Sequence, residues 1–135
     1  MPLEDDYQRV ARRSLDASDA SLNAGIQEKS AFLSYHSFES TGCALSVVAG
    51  SPVDSHVRHN DKIRNFTIAA HRRGHGYPIA GVAVTLASIR NSLLYPIQDL
   101  ATGIVTRPED TITEAQARRL LARVRGVVNW VDTQI

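Results

Sequence analysis

The sequence predicts an all-α protein, an antiparallel bundle of four to five helices in one domain that spans residues 1–135. Apolar residues recur at three- and four-residue steps in five segments, which is the period of an amphipathic helix. Gly and Pro residues separate these segments, and no stretch alternates as a convincing strand does. A chain of 135 residues is the usual size of one domain, so a second domain is not needed.

The first two segments predict long helices. The first runs from about Asp5 to Asn23, with acidic residues in its first turn, where the helix dipole favours them. The second runs from about Gln27 to Ala49 and stops at a Gly-Ser-Pro sequence. Gly42, in the middle of the second helix, costs about 1 kcal/mol relative to alanine. We therefore expect a neighbouring helix to cross closely at this position.

The third and fourth segments predict shorter helices. The third begins near Asp54 or Ser55 as its N-cap and continues to about Arg73. The fourth runs from Pro78 to Tyr95, because proline is tolerated in the first turn of a helix and Pro96 excludes the helical conformation just before it.

The last part of the chain combines a loop and a helix. Residues 97–110 lack a hydrophobic period and are predicted as the one long loop. Thr113 and Gln116 form a capping-box pattern that opens the fifth helix. Four arginines surround the apolar stripe of this helix, and a solvated face explains them more simply than phosphate contacts do: Arg118, Arg119, Arg123 and Arg125.

Composition excludes several classes of function. The net charge of +1 argues against a nucleic-acid clamp that covers the whole surface. Cys43 is the only cysteine, which excludes an internal disulfide and a thiolate zinc cluster and is consistent with a reducing compartment. The acidic start is unlike a secretory signal, and no apolar stretch reaches the ~20 residues that span a bilayer, so we expect a cytoplasmic protein without membrane contact. No cofactor or metal is expected, because the histidines lack the Glu-x-x-His pairs of metal-binding bundles.

Arg90 is the residue that most needs a functional explanation. It lies four residues after Leu86 and three before Leu93, at the edge of an apolar helix face. A guanidinium cannot lose its proton in a protein, so it must be paired, solvated in a cleft or placed at an interface.

Three short motifs resemble those of the HEPN superfamily of helical proteins. The second helix carries Glu39-x-x-Gly42, the third carries His59-x-x-Lys62, and the fourth carries Arg90-Asn91 before Leu94-Tyr95. The resemblance covers most of the chain, from about residue 7 to 130.

The resemblance implies an HEPN-like bundle that acts on or binds RNA. Active members are metal-independent endoribonucleases, often of toxin–antitoxin or phage-defence systems, in which two protomers of a homodimer bring together an arginine and a histidine. It also implies a cognate antitoxin or a nucleotidyltransferase as a partner. Arg90 and Asn91 match the start of the arginine–histidine motif, whereas Tyr95 stands where its histidine falls. Histidine can move the proton of a ribose hydroxyl, while arginine stabilises charge on the phosphorus centre.

Three functional hypotheses follow. In the first, Arg90 contacts the scissile phosphate, Asn91 orients it, Tyr95 donates a hydrogen bond and His59 is the acid or base. His36 is a second source of an imidazole outside the family pattern, and Glu39 and Lys62 complete the expected binding residues. The second hypothesis is a non-catalytic module that binds a nucleotide, an RNA or a protein partner, in which Arg90 either holds an anion or pairs with Glu39. The third is a helical bundle unrelated to HEPN proteins.

Overall fold

The chain is mostly helical, as the sequence predicts. The computed structural model describes residues 2–135. Within them lie six α-helices: α1 (Leu3–Asn23), α2 (Gln27–Val48), α3 (His59–Arg72), α4 (Gly76–Ile89), α5 (Pro108–Thr111) and α6 (Glu114–Asp132). A short 3-10 helix, Asn91–Leu93, follows α4. Strands β1 (Ile97–Gln98) and β2 (Val105–Thr106) pair antiparallel, with Ile97 opposite Thr106. None of the helices in the described residues is both long and apolar enough to cross a bilayer.

The hydrophobic core lies where α1, α2 and α6 pack against one another. The apolar stripe of each helix faces this core. α3 packs on α2, and α4 packs on α3 with a smaller contact on α6. The largest buried apolar side chains are Phe38, Phe66, Leu22, Leu45, Ile79, Leu86, Leu93, Val124, Val128 and Val131. Burial of this apolar surface is the main force that stabilises the bundle.

Buried serines fix the register between α1 and α2. The hydroxyl of Ser18 lies 2.8 Å from the carbonyl oxygen of Ser30 and 3.0 Å from the hydroxyl of Ser34. Ser37 donates to the carbonyl of Ala11 at 2.8 Å. Because small side chains let the two helices approach closely and each of these hydroxyls has a partner, the polar atoms are buried without a large penalty. These hydrogen bonds fix how α1 and α2 pack against each other.

The predicted close crossing at Gly42 is confirmed. A Cβ atom built on Gly42 would lie 2.6 Å from Cδ2 of Phe66, the central aromatic residue of α3. Such a distance is far shorter than a van der Waals contact, so only glycine fits here without movement. Phe66 in turn stacks at an angle on Phe38, with ring centroids 5.1 Å apart. The glycine thereby sets the distance between α2 and α3.

The third helix begins later than predicted. It starts at His59, and neither Asp54 nor Ser55 is its N-cap. The Asp54 carboxylate instead accepts a hydrogen bond of 2.9 Å from the backbone N–H of His56, which closes a local turn. Arg58, in an extended conformation, is the residue that precedes the helix. Aspartate favours turns as well as caps, and the sequence pattern does not separate the two.

The fourth helix and the long loop also differ from the prediction. The helix begins at Gly76 and ends at Ile89, rather than running from Pro78 to Tyr95, and the chain tightens into the 3-10 turn. Residues 97–110 hold the β1–β2 hairpin and the start of α5, so they are not one irregular loop. Asp99 and Gly103 form the hairpin turn: Asp99 accepts from the backbone of Ala101 at 2.8 Å, and Gly103 has a φ of 73°.

The capping box at the start of the last helix is confirmed. The backbone N–H of Gln116 donates to the hydroxyl of Thr113 at 3.1 Å, and the Gln116 side chain accepts from the N–H of Thr113 at 2.9 Å. This reciprocal pair satisfies two backbone donors that the helix itself leaves without partners.

Candidate functional site: a basic cleft beside Arg90

A cleft opens where α2, the start of α3 and the end of α4 meet. Its volume is about 410 Å³. It is lined by residues of all three elements: Tyr35, Arg58, His59, Asn60, Ile63, Ala83, Leu86, Ala87, Arg90 and Asn91. We call this the Arg90 cleft. Its volume is within the range of small-ligand sites and suits a phosphate with its attached sugar.

Glu39 links α2 to the start of α3. Its Oε2 accepts a hydrogen bond from the Tyr35 hydroxyl at 2.9 Å and lies 2.7 Å from Nδ1 of His59. Only 11% of the Glu39 side chain is exposed, against 55% for His59, so the ring extends from a covered carboxylate toward solvent. A carboxylate accepts hydrogen bonds, so Nδ1 carries the proton when it pairs with Glu39. The other ring nitrogen, Nε2, is then left to accept a proton.

The Tyr35 hydroxyl is held in its protonated form. Burial raises the pKa of Tyr35 most strongly, and the negative charge and hydrogen bond of Glu39 raise that pKa further. The Arg90 charge acts in the opposite direction on the same pKa and does not reverse the rise. Tyr35 is thus a hydrogen-bond donor that orients Glu39.

Arg90 lies over the Tyr35 ring, with its guanidinium carbon 5.3 Å from the ring centroid. This is a cation–π distance, and Asn91 adds a hydrogen bond in which its Oδ1 accepts from Arg90 Nη1 at 3.3 Å. The Nε atom of Arg90 is buried and makes no hydrogen bond to the described part of the protein. Arg90 is therefore held by Tyr35 and Asn91. Because Nε is buried, an anion in the cleft would contact the terminal Nη groups.

The start of α3 adds positive potential to the Arg90 cleft. Arg58 and Asn60 line it beside His59, and no side chain caps the first backbone N–H groups of the helix. The N-terminus of a helix carries a partial positive charge and offers free N–H donors. Two guanidinium groups, those of Arg58 and Arg90, and this helix end thus border one small volume.

Four of the seven predicted site residues come together. Arg90, Asn91 and His59 line the cleft. Glu39 does not line it but forms a hydrogen bond with His59. An ion pair between Arg90 and Glu39, which is one of the two arrangements that the second hypothesis offers, is absent from residues 2–135. Tyr35 instead contacts both residues.

The other three predicted residues are not part of the cleft lining. Tyr95 is 68% exposed and does not line the cleft. His36 is an exposed residue of α2, next to Tyr35 in the chain but outside the cleft lining. Lys62 is half-buried, and its charge acts on the Cys43 thiol by lowering the pKa of that group.

Sequence reasoning missed Tyr35, Arg58 and Asn60. Tyr35 is an aromatic residue at an apolar position of α2, yet it lies four residues before Glu39, which is the spacing of side chains that meet on one helix face. Arg58 and Asn60 flank His59, but the helix was expected to begin several residues earlier, which placed them in its interior.

Cys43 is a buried residue of α2. Its side chain is buried, and burial raises the pKa of the thiol to about 11, with Glu39 adding to the rise and Lys62 opposing it. The thiol is thus a poor nucleophile at neutral pH. Among residues 2–135, no three His, Cys, Asp or Glu side chains are grouped to hold a metal ion.

The chain matches no known protein family, no curated protein and no solved structure. The resemblance to HEPN proteins stays a prediction, and the function has to be argued from the Arg90 cleft.

Proposed function

We propose that this protein is an HEPN-like RNA-binding protein that cleaves RNA at the Arg90 cleft without a metal ion. One observation carries the proposal: His59, oriented by Glu39 at 2.7 Å, borders the same cleft as the half-buried Arg90. This places a candidate base and a candidate anion-binding group around one volume of about 410 Å³. The two groups supply what transfer of a phosphodiester needs, proton movement and stabilisation of negative charge.

Each residue has a role in this reaction. Nε2 of His59 accepts the proton of a ribose 2′-hydroxyl, whose oxygen attacks the adjacent phosphorus. Arg90 and Arg58 stabilise the charge on the phosphoryl oxygens. Asn91 accepts from Arg90 through Oδ1, so its NH₂ group is free to donate to the phosphate. The products are a 2′,3′-cyclic phosphate and a 5′-hydroxyl end, with solvent supplying the proton of the leaving oxygen.

A homodimer belongs to the proposal because the resemblance implies one. The exposed side of α4 supports it: Tyr77 is 89% exposed and Val84 72%, and no charged residue occurs between Gly76 and Ile89. An uncharged helix face of this kind is more typical of an interface than of a solvated surface. We expect Val84→Glu to shift the solution mass from dimer to monomer, whereas Val10→Glu on α1 leaves it unchanged. A wild-type monomer at every concentration would remove the dimer from the proposal.

A cognate antitoxin or a nucleotidyltransferase stays a proposed partner on the resemblance alone.

The decisive experiment is a cleavage assay with purified protein, total RNA and EDTA. We expect cleavage that Arg90→Ala abolishes and His59→Ala lowers by about 10²–10⁴-fold. Arg64→Ala is the matched control, because Arg64 is an exposed arginine of α3 that does not line the cleft. Equal cleavage by wild type and Arg90→Ala, with both proteins folded by circular dichroism, would refute the proposal.

A non-catalytic role is the alternative that one observation favours. Tyr95, at the position of the family's histidine, is exposed and outside the cleft. In this reading Arg90 and Arg58 hold the phosphate of a nucleotide or an RNA, or an acidic group of a protein partner, and no bond is broken. RNA binding that Arg90→Ala removes, with no cyclic phosphate formed by the wild type, would support this alternative.

A further inference from the structure

A second cavity, of about 450 Å³, lies on another side of α4. It is bordered by α4, α5 and α6 and is lined by Thr85, Ile89, Thr111, Ile112, Gln116, Arg119, Leu120 and Arg123. It shares no lining residue with the Arg90 cleft, so it needs a separate explanation. We call it the α4–α6 cavity.

Its walls are mainly apolar. Ile89, Ile112 and Leu120 form the interior surface, and Ile112 and Leu120 are continuous with the protein core. The uncharged polar side chains already have partners: Thr85 donates to the carbonyl of Gly81 at 3.1 Å, and Gln116 belongs to the capping box. An apolar body is therefore the part of a ligand that this interior would take up.

Two arginines without acidic partners border the cavity. Arg119 and Arg123 lie four residues apart on α6, a spacing that places them on one face. In residues 2–135 neither forms an ion pair, while Arg118 of the same helix pairs with Glu114 at 3.1 Å. The Arg123 guanidinium extends toward α4, since a Cβ atom on Gly81 would lie 3.6 Å from its Nη2.

The charges near the two guanidinium groups do not neutralise them. α4 carries no charged residue, and the acidic residues of α5, Glu109 and Asp110, are exposed and do not line the cavity. Two like charges four residues apart on one helix face repel each other. An anion bound between them would remove this repulsion and form charge-assisted hydrogen bonds with both.

We propose that the α4–α6 cavity binds a small amphiphilic anion, with its apolar body between α4 and α6 and its carboxylate or phosphate head between Arg119 and Arg123. The cavity volume fits an apolar body of about ten carbon atoms, at the lower end of the range for small-molecule sites. This site is independent of the Arg90 cleft and of RNA cleavage.

Isothermal titration calorimetry with decanoate, decyl phosphate and decanol tests the proposal. We expect one site per chain for at least one of the two anions, with a dissociation constant below about 100 µM. Decanol should bind at least about tenfold more weakly than that anion, because it lacks the charge that the arginines recognise. The stronger of the two anions identifies the head group. Binding of decanol equal to that of both anions, or several sites per chain, would overturn the proposal.

Variants of α6 and α4 distinguish binding in the cavity from non-specific binding elsewhere on the surface. Arg119→Gln with Arg123→Gln should weaken binding of the anion at least about tenfold, whereas Arg125→Gln, an exposed arginine outside the cavity, should not. Thr85→Trp should block the cavity, while Ser88→Trp adds the same bulk to α4 without lining it. Absence of saturable binding to the wild type would overturn the proposal. If, in addition, Thr85→Trp but not Ser88→Trp lowers the solution mass, the cavity is occupied by a second copy of the chain.

Discussion

Nδ1 of His59 lies 2.7 Å from Oε2 of Glu39, twenty residues earlier in the chain. The same oxygen accepts a hydrogen bond from the Tyr35 hydroxyl at 2.9 Å. A residue of the same helix thus holds the carboxylate in place, and the carboxylate orients the histidine of the next helix. A carboxylate on one ring nitrogen fixes the tautomer and aims the other nitrogen outward, which is how histidine bases are commonly positioned.

Glu39→Gln tests whether this contact orients His59. Glutamine has nearly the same shape and can still accept from Nδ1, but it removes the negative charge that favours this arrangement. We expect RNA cleavage to fall by about 10- to 100-fold, less than in His59→Ala, with little loss of folded protein. Glu28→Gln is the control, since Glu28 lies on the same helix outside the cleft. Nitrogen NMR of the His59 ring should show the proton on Nδ1 in the wild type and a mixture of tautomers in Glu39→Gln. An unchanged tautomer together with unchanged cleavage would contradict the positioning role.

Tyr95 tests where the base of the reaction resides. Its side chain is 68% exposed and away from the cleft, while His59 borders it. We therefore expect Tyr95→Phe and Tyr95→His to change cleavage by less than about threefold, which corresponds to less than about 0.7 kcal/mol in the barrier. A gain of tenfold or more in Tyr95→His would assign the acid–base role to position 95, in the manner of the family motif.

The sequence predicts the helical elements well because their signals are local. The Thr113–Gln116 capping box and the glycine at position 42 each act within one helix or through one contact, and both are confirmed. The predicted start of the third helix is wrong because an aspartate can either cap a helix or close a turn, and both signals are local. In the structure Asp54 closes a turn. The hairpin after Pro96 has strands of two residues, too short to show a period of two.

The cleft is only partly predictable for a different reason. Arg90 could be identified because a charge on an apolar helix face requires an explanation. Its neighbours depend on how α2, α3 and α4 pack, and the approach of α3 to α2 depends on the contact between Gly42 and Phe66, two residues far apart in the chain. The α4–α6 cavity has no sequence signal at all, since it results from the gap between two amphipathic helices.

The raised pKa values of buried acidic groups predict a loss of stability in alkali. Burial raises the pKa of Cys43 from 9.0 to about 11 and also raises the pKa of Tyr35. When pH rises above the pKa of the unfolded thiol, the unfolded chain releases a proton that the folded protein retains, so the free energy of unfolding falls. For Cys43 the fall reaches at most about 2.7 kcal/mol between pH 9 and 11.

Urea denaturation at pH 7 to 10.5 measures this effect. We expect Cys43→Ala to be less stable than the wild type at pH 7 because it leaves a small cavity, but to lose less stability as the pH rises. Parallel curves for the two proteins would contradict the assignment to Cys43.

Gly42→Ala and Gly126→Ala form a matched pair that tests the contact between α2 and α3. Alanine is about 1 kcal/mol better than glycine inside a helix. At Gly126, an exposed residue of α6 where an added Cβ meets no atom within 4 Å, that gain should appear as higher stability. At Gly42 the same methyl group would lie 2.6 Å from Phe66 Cδ2, so α3 must shift and we expect a net loss of stability of about 1–3 kcal/mol.

Phe66→Leu combined with Gly42→Ala should recover part of this loss of stability, and additive effects of the two changes in urea denaturation would argue against the contact. Since α3 also carries His59, the Gly42→Ala shift should lower RNA cleavage as well, whereas Gly126→Ala should leave it unchanged.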